Sequence, residues 1–238
     1  MNMPWITAAL LAVAGTPVLA NETPEVHSFE PANFVTGKRS LEKLIKFPDI
    51  DFDTEVHVAC SGHATAKGRL KNGRCSSMGD PELKFTMAVS RRFNAMRLIP
   101  ARVDGKAEEV DFQFTVIFLK QGKAETITLY PHNMKNVDRL GLDYIGAQRY
   151  SEHPWPNRCG WRGFDDLIVE VAIVDATGSA KEFNVLSANF DLPASCQEGF
   201  ASFLRRGRWI PAFHDDQFVE SVWTNPRVLN SVPYKRQQ

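Results

Sequence analysis

The feature that most limits what this chain can become is a recurrence inside it. Arg97, Ile99, Pro100, Ala101 and Asp104 line up without a gap on Arg208, Ile210, Pro211, Ala212 and Asp215, and each set follows an apolar stripe at helical spacing. Self-similarity of this kind marks one supersecondary unit written twice. A chain of 238 residues has room for two small domains of that sort. With 43% apolar and 24% charged residues both can build a core, which excludes disorder as the main state. Lys plus Arg and Asp plus Glu both number 28. Without a net positive field or a long basic block, nucleic acid is not an expected partner.

Met1 to Ala20 carries no charged side chain and runs through an apolar stretch to Gly15, Pro17 and the small-residue sequence Val18-Leu19-Ala20. This is the pattern of a secretory signal cleaved after Ala20, and membrane contact is expected only if the segment stays attached. Export turns the four cysteines into a disulfide framework. One bridge inside each copy is expected, Cys60 with Cys75 and Cys159 with Cys196. No Cys-x-x-Cys occurs, so neither a structural zinc nor any other metal or cofactor is expected.

The first unit begins at Glu55, where Val56, Val58 and Cys60 alternate with Glu55, His57 and Ala59 as in a half-buried strand. A return strand ends at Cys75. Asp80-Pro81-Glu82 reads as a helix start, with Asp as cap and proline at the first helical position. Phe85, Val89, Phe93 and Met96 then share one stripe. After Pro100 and the Asp104-Gly105 turn, Val110, Phe112, Phe114, Val116 and Phe118 alternate as a third strand. The plan repeats with Val169, Val171 and Ile173, a turn at 175–178, Ala180, Phe183 and Val185, a helix striped by Cys196, Phe200, Phe203 and Leu204, and a last strand 218–223. In this alignment Ile173 takes the place of Cys60, and Val185 that of Cys75. Pro226 limits the last strand to an edge or an end. The expected class is therefore α+β, two tandem ββαβ modules, each an antiparallel sheet with one helix on a face. The divisions are a signal peptide 1–20, a leader 21–47, modules 48–123 and 163–230, a connection 124–162 and a tail 231–238.

No residue set reads as catalytic machinery. His57 and His63 share a strand face that excludes Cys60, so the three do not converge on a metal. His214-Asp215-Asp216 falls where Val103-Asp104-Gly105 falls in the other copy, and a solvated turn explains both. Arg91-Arg92 and Arg205-Arg206 read as the solvated backs of the helices, Trp209 as core, and Trp155 and Trp161 as residues flanking Cys159.

With Val169 to Gly178, the Phe-Leu...Arg-Trp-Ile-Pro-Ala helix exit and the acidic turn after it, the second unit resembles the C-terminal domain of the TonB energy-transducer family. The first, with Cys60 and Cys75, Ile99-Pro100-Ala101 and Asp104-Gly105, is similar to a cysteine-bearing variant. The two matches cover about two thirds of the chain, 55–118 and 167–223. The resemblance implies a periplasmic domain of Gram-negative bacteria that binds envelope proteins or peptides by adding a strand to a sheet edge. The edge would be the third strand of each unit: Val110, Phe112, Phe114 and Val116, and Phe218, Val219, Ser221 and Trp223. The chain departs from a transducer in lacking a long Pro-rich spacer. The expected function is protein or peptide binding without catalysis, the alternative being a membrane-anchored component of TonB-dependent transport. Mass spectrometry of the mature protein is expected to give an N-terminus at Asn21; an intact Met1 would favour the anchored alternative.

Overall fold

Alternation of apolar and polar residues in Glu55–Ala64 (β1) builds the larger of the sheets, because it puts Val56, Val58, Cys60 and Ala64 on one buried face. The computed structural model describes residues 27–50, 54–150, 166–187 and 194–229. β1 pairs antiparallel with Leu70–Ser76 (β2) on one side and Val110–Gln121 (β3) on the other. β3 turns back into Ala124–Tyr130 (β4), an extra strand from the connection. In the second half Asp166–Val174 (β5) lies between Ala180–Ser187 (β6) and Ser221–Leu229 (β7). The helices are Leu41–Leu44 (α1), Lys84–Ser90 (α2), Val137–Leu140 (α3) and Ala194–Arg205 (α4).

The expected α+β pair of tandem ββαβ modules is corrected. Among the described residues 47% are in strands and 16% in helices, spread over several sheets and four short helices. The excess strand arises where extended backbone from outside each repeat finds a partner. Phe29–Glu30 pairs with Ala101–Val103, and Asn33–Phe34 with Leu98–Ile99. Tyr144–Ile145 pairs with Ala212–His214. Gln148–Arg149 is bonded on one side to Trp209–Ile210 and on the other to Asp111 of β3, so a strand of the second half completes the six-stranded sheet of the first. The sheets therefore do not close within one repeat.

The core of the larger sheet is aromatic. Phe112, Phe114 and Phe118 are buried on β3, Phe85 and Val89 face them from α2, and the rings of Phe85 and Phe118 meet edge-on at 4.9 Å. Leu41 and Ile45 of the leader and Ile210 of the second half join this core. A second cluster gathers Ala172, Val174, Phe203, Leu204, Trp209 and Trp223.

Both carboxylate oxygens of Asp80 accept backbone N–H bonds, from Phe85 at 3.0 Å and Thr86 at 2.7 Å, which satisfies two orphan donors of α2. Pro81, however, sits in a 3₁₀ turn, Pro81–Leu83, and not at the first position of α2. Glu82 and Leu83 are left-handed at φ 51° and 56° before the helix begins.

Cys60 and Cys75 are bonded across the hairpin, fifteen residues apart in sequence. Closing such a loop contributes about 3 kcal/mol in the chain-entropy account. Cys196 is also in a disulfide; its expected partner Cys159 lies outside the described residues, as do the signal segment 1–20, Trp155 and Trp161. Among the described residues no helix is long and apolar enough to cross a membrane.

The two hairpin tips are alike in detail. Thr65 and Asp175 donate their N–H to Arg69 and Ser179 at 2.8 and 2.9 Å, and the carbonyls of Gly68 and Gly178 accept from Leu98 at 3.0 Å and Trp209 at 3.1 Å. Counting back from these turns corrects the alignment. Glu170, not Ile173, opposes Val185 as Cys60 opposes Cys75, and Glu170 is fully buried. Gly68 (φ +67°) and Gly178 (φ +82°) are left-handed, and a Cβ on either would lie 2.2 Å from the carbonyl oxygen of Leu98 or Trp209. Strain of both kinds predicts that Gly68→Ala and Gly178→Ala each destabilise the protein by about 2 kcal/mol or more, read as a lowered thermal midpoint. A midpoint unchanged in either variant would contradict this account of the tips.

Candidate functional site

A strand binds an incoming peptide through backbone groups that point away from its own sheet, so each edge is decided by what already occupies them. The expected edge at Val110, Phe112, Phe114 and Val116 is corrected. β3 is an interior strand, paired with β1 along one side and with β4 and Arg149 along the other, and all four side chains are core.

The last strand is at an edge, as Pro226 indicated, but it is covered. Val222 donates its N–H to Asn136 Oδ1 at 2.9 Å, and its carbonyl accepts from Asn136 Nδ2 at 2.9 Å, so one amide side chain imitates a neighbouring strand. Gln113 donates to the carbonyl of Thr224 and Arg139 to that of Glu220. The next outward position is Pro226, which has no N–H. Ser221 and Trp223 are buried, while Phe218 and Val219 lie in a short strand paired with Ala212–His214, where Phe218 packs edge-on against Phe29 at 5.6 Å. The six expected edge residues in β3 and β7 therefore present no row of open backbone groups, and Phe218 and Val219 lie in a three-residue strand at the end of its own sheet.

The chain segment that covers this edge is held by His132. Its ring is buried, lies flat on Tyr144 with centroids 3.8 Å apart, and has Nε2 2.9 Å from the carbonyl oxygen of Leu142. Nδ1 accepts the N–H of Met134 at 3.2 Å, so the ring is a neutral tautomer with Nε2 as donor. Tyr144 in turn accepts the N–H of Asn136 at 3.3 Å.

An open edge that the sequence did not single out is that of β6; in the larger sheet β2 and β4 likewise have one partner strand each. β6 pairs with β5 alone, and no described strand lies on its other side. The N–H of Val185 turns outward and is held only by Asn184 Oδ1 at 2.8 Å; by the alternation of the ladder Phe183 also points outward. A groove of about 440 Å³ runs between this edge and α4, lined by Phe183, Val185, Ala194, Gln197, Glu198 and Ala201. Arg205 lies over the Phe183 ring at 5.2 Å. The signal that would have found it is the pairing of β5 with both neighbours, which is not written in β6 itself.

Of the remaining expected constellations within the described residues, all but Arg92 lie where the sequence placed them. His57 pairs with Glu55 and His63 with Asp111 on the outer face of the larger sheet, while Cys60 is on the inner face in its disulfide. Asp215 and Asp216 are exposed, left-handed turn residues at φ 49° and 59°. Trp209 is fully buried. Arg91 and Arg206 are exposed and Arg92 half-buried. Compared with protein families, characterised proteins and solved structures, the chain matches none.

Burial holds the His132 pKa below its ordinary value, against the bond to Leu142, which raises it. Since the folded state favours the neutral ring, its stabilising contribution is present above the unfolded pKa of about 6.5 and is lost as pH falls through the lower folded value. The urea midpoint is expected to drop between pH 7.5 and pH 5, and to drop less in His132→Gln. An equal slope in both proteins would remove His132 from the pH response.

Proposed function

We propose that this is an exported envelope protein that binds an extended segment of a protein or peptide partner by strand addition at the outer edge of β6, without catalysis. The observation that carries the reading is the outward N–H of Val185 and the outward position of Phe183 beside a groove flanked by a helix. Strand addition takes affinity from main-chain bonds and selectivity from pockets for alternate side chains, and this groove offers both. Ala194 and Ala201 leave room for an apolar side chain of the guest, and exposed Glu198 favours a basic residue next to it.

Export is supported by the Cys60–Cys75 bridge and by the oxidised state of Cys196, which suit an oxidising compartment. A periplasmic location reached through 1–20 belongs to the same reading. So does a relation to the TonB C-terminal domain family, for which the support is the run Val169 to Gly178 and the Arg-Trp-Ile-Pro-Ala exit at 208–212.

The test is a heptapeptide library panned against the full chain. Selected peptides are expected to lose at least tenfold in affinity for Val185→Pro, which deletes the outward N–H without removing a bond to β5. The thermal midpoint is expected to stay within a few degrees of the parent. Peptides that bind Val185→Pro as well as the parent would place recognition elsewhere.

A further inference from the structure

A polar concavity lies away from β6, where the outer face of the larger sheet meets the end of β7. It encloses about 430 Å³, the size of a small-ligand site, and draws Asn72 and Arg74 from β2, His63 from β1, Asp111 and Gln113 from β3 and Asn225 from β7. We propose that this cleft binds a small ligand through an oxyanion, carboxylate or phosphate, with Arg74 as the principal contact.

The charge distribution gives the sign. Asp111 is the one carboxylate in the described lining. It is 2.8 Å from His63 Nδ1 and only 19% exposed, so it is already engaged. The Arg74 side chain is exposed and makes no hydrogen bond or ion pair with any described residue. A guanidinium presents a planar fork that fits two oxygens of one anion.

The geometry is built, not incidental. In β2, Asn72 and Gly73 together oppose Gly62, and Asn72 is left-handed at φ 52°; this bulge opens the sheet beside Arg74. Arg74 stands directly across from Ser61, and Ser61 from Gln113, so the three form one row on the cleft floor. Gln113 is fixed by the Thr224 carbonyl and by Asn133, whose Nδ2 donates to its Oε1 at 2.7 Å. Asn225 is fixed by its bond to buried Glu170 at 2.9 Å. With its walls already ordered, a ligand would lose little freedom in the protein on entering.

The cleft does not depend on the β6 edge, so the two proposals fail separately. Inorganic phosphate and succinate are titrated in parallel into the full chain, with chloride as the ionic-strength control, while side-chain amide resonances and the thermal midpoint are followed. At least one anion is expected to shift the Asn72 and Asn225 amides saturably and to raise the midpoint, and the tighter of the two identifies the ligand as phosphate or carboxylate. Arg74→Gln is expected to weaken binding at least tenfold, Arg74→Lys to fall between, and Arg91→Gln to leave it unchanged. Shifts that do not saturate with either anion, or equal affinity in Arg74→Gln, would overturn the proposal.

Discussion

The two residues Gln148 and Arg149 hold the molecule together. Both are buried, at 1% and 4% exposure, and as a short strand they join Trp209–Ile210 to Asp111 of β3. A buried guanidinium is tolerated only where its charge is met. Arg149 stacks at 3.7 Å over Phe203 and donates to the Phe203 carbonyl, while Gln148 both gives to and takes from the backbone of Ala32 at 2.8 Å. Through this seam Ile210 reaches the core of the first half. The polar cleft lies where β7 meets β1, β2 and β3, and Gln113 and Asn133 hold β7 there through Thr224.

Local periodicity carried much of the structure. The β1–β2 and β5–β6 hairpins, the stripe of α4 and the Asp104 turn follow from spacing within a few residues, whereas α2 ends at Ser90, before Phe93 and Met96 of its expected stripe. The larger failure was nonlocal. Alternation along 110–118 reports which side chains face a core, and it reads the same whether a strand has one neighbour or two. Val110 to Val116 could thus be placed on a face and not at an edge. In the connection Ile127 and Leu129 alternate with Thr126 and Thr128 in β4, whereas 131–150 is tied down by individual amides such as Asn136 and Gln148, which leave no apolar period to read. The pairing of Glu170 with Val185 was missed because the alternation of Val169, Val171 and Ile173 pointed to the wrong face: the buried residues of β5 are Ile168, Glu170, Ala172 and Val174.

The edges of the second sheet are managed unequally. β7 is sealed by side chains from a distant segment and by a proline, both recognised ways of blocking unwanted pairing. β6 has only the short local bond from Asn184 to the next residue, which an incoming carbonyl can replace without unfolding anything else. Unequal protection on two sides of one small sheet restricts where another chain can extend it.

The hairpin tips have a wider effect than their position suggests. Gly178 contacts the backbone of Trp209, and Trp209 is also a partner of Arg149 in the seam. A bend at the periphery is thereby coupled, through one shared tryptophan, to the joint between the halves. Motion of the second hairpin as a free lever is suppressed, and loosening its tip would loosen the joint between the halves.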